Sequence, residues 1–111
     1  MLSEVKLENI LFLDIETVSA ARDFQHLHLQ YQELWSKKAE NLKKDPNISA
    51  ADIYSRAGIY AEFGKIICIS TGYFNQVNGK PNFRIKSFYG HDEKEILLAF
   101  ADLLNQFFSK K

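Results

Sequence analysis

The sequence predicts an α/β protein whose elements run strand, helical insertion, antiparallel hairpin and helix, around a mixed three-stranded sheet. Three observations predict it. Ile10 to Leu13 is a four-residue apolar run followed by alternating acidic and apolar residues, the pattern of a strand. Asn78-Gly79 separates two segments rich in branched and aromatic residues, as a tight hairpin requires. From Ile96 to Phe108 the apolar residues recur at the spacing of one broad helical face.

The elements follow in order. From Asn9 to Thr17 the chain passes from the apolar run to alternating acidic and apolar residues, which predicts a central strand buried on both sides that surfaces at Asp14. Phe24, Leu27, Tyr31, Leu34, Trp35 and Leu42 share helical spacing. Lys37, Lys38, Lys43 and Lys44 crowd the far end of that helix, where positive charge suits its dipole. Asp45-Pro46 breaks it, and Ser49 with Asp52 forms a capping pattern for a short helix through about Ala57, stopped by Gly58. The helical insertion thus covers about residues 19–64. A strand from Lys65 to Phe74 turns at Asn78-Gly79 into an alternating strand from Phe83 to Tyr89. Asp92 then caps the last helix, with Glu95 at its third position.

With 111 residues, 46% of them hydrophobic, the chain has the length of one domain and enough apolar side chains for a core. One cysteine, Cys68, excludes an internal disulfide and fits a reducing, cytoplasmic setting. No apolar run approaches the roughly 18 residues of a membrane span, and no leader pattern follows Met1, so neither a membrane nor a secretory route is expected. Fourteen basic residues balance fourteen acidic ones. That excludes the global basic excess of many nucleic-acid binders, but a local cation can supply positive charge at a small site. No glycine-rich turn follows the first strand, which excludes a dinucleotide-binding domain.

Asp14 and Glu16 are the most informative residues for chemistry. Alternate residues of a strand point to the same side, roughly 6 to 7 Å apart along the backbone, so their carboxylates can converge. Two neighbouring anions at a strand end repel unless a hard, oxygen-preferring cation such as magnesium or manganese neutralises them. The plainer alternative is two solvated acids at a strand terminus, and the spacing alone does not choose between them.

The string Leu11-Phe12-Leu13-Asp14-Ile15-Glu16-Thr17 resembles the first motif of the DEDD superfamily of 3′-5′ exonucleases, which have a ribonuclease-H-like fold. The stretch Tyr60 to Ser70, with Ser87-Phe88-Tyr89-Gly90 before an acid-capped helix, is similar to the branch related to the exonuclease domain of family-B DNA polymerases. The resemblance implies a partial ribonuclease-H-like fold and hydrolysis of nucleotides from single-stranded DNA 3′ ends. It implies that Asp14 bridges two metal ions, Mg²⁺ or Mn²⁺, and that Glu16 ligates the one that activates water. It also implies that the backbone at Ile15 and Thr17 lies beside the terminal nucleotide. Two cations about 3.5 to 4 Å apart stabilise the attacking and leaving oxygens, so no nucleophilic side chain is required.

The family's later motifs hold two further aspartates and a general-base tyrosine or histidine, and nothing in this sequence resembles them. Asp92 and Asp102 lie in other contexts and receive no role. The resemblance therefore implies the N-terminal part of an exonuclease domain, with half its ligands and weak or no activity alone. In the family arrangement the first strand lies between the hairpin and a later parallel strand. Without that later strand its outer edge is open, and self-association or pairing with a partner is expected. The alternative function is a non-catalytic nucleic-acid-binding or protein-assembly module of the same fold.

Other reactive side chains have plainer readings. His26 and His28 lie two apart on a helical segment and do not face one another, which argues against a zinc site with Cys68. Cys68 sits in a β-branched run and reads as a core residue, and His91 as a loop residue. Tyr31 and Trp35 share the apolar stripe with Leu27 and Leu34, so core packing outweighs base stacking for them, whereas Tyr60 is more open.

Overall fold

A computed structural model describes residues 4–109. Its strands are β1 (Leu11–Ser19), β2 (Gly64–Val77) and β3 (Lys80–Tyr89), and its α-helices are α1 (Leu29–Leu42) and α2 (Glu93–Phe108). Short 3-10 turns occupy Leu7–Asn9, Phe24–His26 and Tyr54–Ile59. The chain divides into two compact units. One comprises the described residues up to Glu16 and from Ile66 onward, and the other is Thr17–Lys65.

In the first unit the sheet order is β1-β2-β3 and the strands are antiparallel, so the mixed sheet expected from the sequence is corrected. β2 and β3 form the antiparallel hairpin expected at Asn78-Gly79, and β1 also runs antiparallel to its neighbour, so no parallel pair makes the sheet mixed. Asn78 and Gly79 adopt φ of 52° and 77°, the positive values that match such a turn to the strand twist. The register pairs Phe74 with Phe83, Gly72 with Ile85 and Ser70 with Ser87. Opposed residues share a face, so these six lie on one side and Ile69, Thr71, Tyr73, Arg84, Lys86 and Phe88 on the other.

Helix α2 covers that second side. Ile69, Thr71 and Ile96 are buried, and the rings of Tyr73 and Phe107 meet edge to face at 5.6 Å. Thr71 satisfies its buried hydroxyl by donating to the Lys86 carbonyl at 2.7 Å. As the sequence predicts, Asp92 caps the helix: its carboxylate accepts from the Glu95 amide at 3.3 Å. The Glu93 carboxylate accepts from the Ile66 amide at 2.6 Å, tying the start of α2 to β2.

The burial of β1 departs from the reading of its apolar run, whereas its edge position agrees with the open edge expected there. β1 is not a central strand buried on both sides: it forms an edge of the sheet, and Phe12, Leu13 and Ile15 are 46%, 50% and 48% exposed. The physical reason is coverage. The unit has one long helix, it contacts β3 at the opposite edge, and no further strand lies outside β1 among the described residues.

The second unit has its own core. Leu27, Trp35, Ala39, Tyr54, Ala57 and Phe63 are buried together. The rings of Trp35 and Phe63 meet at 5.1 Å and those of Trp35 and Tyr54 at 5.8 Å. The helix expected from Phe24 begins only at Leu29. Asp23 accepts from the His26 amide and closes a 3-10 turn first, and His28 then caps α1 through its ring nitrogen, 3.3 Å from the Gln30 amide. Ser49 and Asp52 do form reciprocal bonds, at 3.0 and 3.2 Å, but the residues after them turn before entering the 3-10 segment at Tyr54. Tyr31, expected in the core, stays 45% exposed, with its ring edge-on to Phe63.

Candidate metal and nucleic-acid site

The carboxylates of Asp14 and Glu16 occupy one face of β1, because they are two residues apart on an extended strand. Phe12 marks which face: its ring packs edge-on against Phe74 at 6.3 Å and Phe83 at 6.0 Å, so the acids continue the side of the sheet that α2 leaves bare. Both acids are exposed. Among the described residues neither makes a salt bridge or a side-chain hydrogen bond. A structural salt link, which would have given this pair a plain explanation, is thus absent there.

Ile15 lies between the two acids in sequence and points to the opposite face. Thr17 begins the second unit, where its hydroxyl donates to the Gly58 carbonyl at 2.7 Å. Its side chain is therefore committed to local structure, and the role implied by the resemblance rests on the backbone alone.

Beside Asp14 the sheet forms a shallow pocket of about 210 Å³, lined among others by Phe12, Gly72, Phe83 and Ile85. Gly72 makes it possible: the Phe83 ring lies in the space that a β-carbon at position 72 would take. Sequence reasoning assigned these residues to strands without connecting them to Asp14. The available signal was the hairpin register, since a turn at Asn78-Gly79 places Phe74 opposite Phe83.

Two exposed oxygen-donor side chains suit a hard divalent cation, which commonly takes one or two protein carboxylates and completes its shell with water and substrate phosphate. No cluster of three or more His, Cys, Asp or Glu side chains occurs among the described residues, so no third such side chain joins Asp14 and Glu16 there. His26, His28 and Cys68 form no such group, and Cys68 is half-buried. No helix among the described residues is long and apolar enough to cross a membrane. No family model, no curated protein and no solved structure matches the chain.

Proposed function

We propose that Asp14 and Glu16 are metal-binding carboxylates of a 3′-5′ exonuclease that hydrolyses single-stranded DNA ends, with residues 1–111 forming the N-terminal part of a ribonuclease-H-like domain. The observation that carries this reading is the shared, exposed face of the two acids, with no partner among the described residues. The motif Leu11 to Thr17 supports it, as does the placement of β1 beside the β2–β3 hairpin with its other edge bare.

In this reading Asp14 and Glu16 are the residues that would hold Mg²⁺ or Mn²⁺. Bound there, the ions supply Lewis-acid stabilisation of the oxygens at phosphorus and lower the pKa of water. The chain's own contribution is positioning: β1 fixes the spacing of the two carboxylates, and Phe12 and Phe83 offer aromatic surface beside Asp14 for an unpaired base. With two ligands, binding is weak and turnover by this part alone is slow or nil.

Manganese titration of the labelled protein tests the proposal. Paramagnetic broadening is expected at the amides around Asp14 and Glu16 and is lost in Asp14→Asn with Glu16→Gln. Untouched amides at millimolar manganese would overturn it. A second reading, a non-catalytic nucleic-acid-binding or protein-assembly module, draws on the β1 edge left unpaired among the described residues; binding of single-stranded DNA that ignores chelator and the two substitutions favours that reading.

A further inference from the structure

The two edges of the sheet differ in charge and in protection. β3 carries Lys80, Pro81, Arg84 and Lys86 and no acidic residue, the basic and proline residues that commonly blunt an exposed edge. At the other edge, Leu11 to Glu16 carries Asp14 and Glu16 with no basic residue and no proline. None of Asp14, Glu16, Arg84 and Lys86 forms an ion pair among the described residues. The chain's formal charge is zero, so no net repulsion opposes contact between copies.

We propose that a second copy of this chain lays its β3 along the outer edge of β1, antiparallel and turned over, so that the copies assemble through opposite edges. Alternation along the strands selects this orientation. Asp14 and Glu16 lie on the face left bare by α2, whereas Arg84 and Lys86 lie on the face that α2 covers. Turning the second copy over brings the two sets to the same side. One register then sets Asp14 opposite Lys86 of the second copy and Glu16 opposite its Arg84. The same register sets Ile15 opposite Ile85 of the second copy, and these are 48% and 72% exposed. It also places Phe12 opposite Phe88 of the second copy. Without the turn, the acids meet Phe83 and Ile85. Pairing β1 with β1 about Ile15 sets Asp14 against Glu16, a like-charge contact that destabilises. The β1–β3 contact joins unlike edges and does not close on itself, so assembly extends beyond a dimer.

The proposal uses the same two acids as the nuclease reading but not their metal-binding role, and its readout, mass, is separate from manganese broadening. Sedimentation of the full chain at rising concentration is expected to show mass growing past that of a dimer and falling as salt screens the pairs. Arg84→Glu with Lys86→Glu is expected to weaken association about ten-fold or more, and so is Asp14→Lys with Glu16→Lys, because each leaves like charges opposed. An equimolar mixture of the two double variants regains association, since each supplies the charge that the other has lost. Circular dichroism checks that each is folded. A monomeric wild type at millimolar concentration overturns the proposal, and so does a mixture of folded variants that stays apart. If the β1 variant does not fold, the β3 variant decides alone: association equal to wild type overturns it.

Discussion

The ring of Phe83 lies over Gly72, although the two are not cross-strand partners: Phe83 pairs with Phe74 and Gly72 with Ile85. The contact is diagonal, at the reach of an aromatic side chain along the sheet. It gathers Phe12, Phe74 and Phe83 into one cluster, with the Phe74 and Phe83 rings 4.8 Å apart, and forms the floor beside Asp14.

Gly72→Ala is therefore expected to push the Phe83 ring off the sheet and to destabilise the protein by about 1 to 3 kcal/mol, with Gly72→Val costing more. In a Phe83→Ala background most of that cost disappears, because the residues share one space. A double-mutant cycle in urea reads the coupling, and equal costs in both backgrounds would contradict the contact.

The indole N–H of Trp35 donates to the Ala50 carbonyl at 2.8 Å from a fully buried position. Trp35→Phe removes the donor and leaves the acceptor partly buried, at a cost of about 1 to 3 kcal/mol plus that of the smaller ring. Trp35 is the chain's one tryptophan, so unfolding is followed by circular dichroism rather than fluorescence in that variant.

Acid should loosen the Thr17–Lys65 unit. Asp23 is held below the usual carboxylate range chiefly by a hydrogen bond with the His26 side chain, Asp52 by the Ser49 amide, and Glu62 by Lys38, whose Nζ lies 2.7 Å away. A carboxyl lowered on folding stabilises the folded state above its unfolded pKa, about 4, and loses that contribution as pH falls through the folded value. Protection factors of amides within residues 17–65, which discount the slower intrinsic exchange in acid, are expected to fall below about pH 4. Glu62→Gln flattens that dependence and lowers stability at neutral pH. An unchanged profile in Glu62→Gln would remove the Lys38 pair as a cause.

Asp14→Asn and Glu16→Gln should leave thermal stability within about 0.5 kcal/mol of wild type, because both side chains are exposed and unpaired among the described residues. Under the proposals above, their effects fall on cation binding and on association between copies rather than on the fold. A large loss of stability in calorimetry would mean that the acids are structural.

Elements whose causes are local could be read from the sequence. The Asn78-Gly79 turn needs two residues that tolerate positive φ, and Asp92 with Glu95 forms a cap within one turn of helix. The alternation that puts Asp14 and Glu16 on one side is likewise a property of any extended strand. Burial is not local. The apolar run from Ile10 to Leu13 reads as a strand covered on both sides, yet what covers a strand is set by residues far along the chain, and α2 lies against the opposite edge. The helix expected from Phe24 failed for a related reason, since Asp23 and His28 spend their side chains on amides that a continuous helix would have used. Composition and spacing were therefore enough for the hairpin turn, the cap of α2 and the shared side of the acidic pair. The exposure of the β1 apolar run, the pocket beside Asp14 and the Phe83–Gly72 contact emerged only from packing, because each depends on which distant residues come to lie side by side.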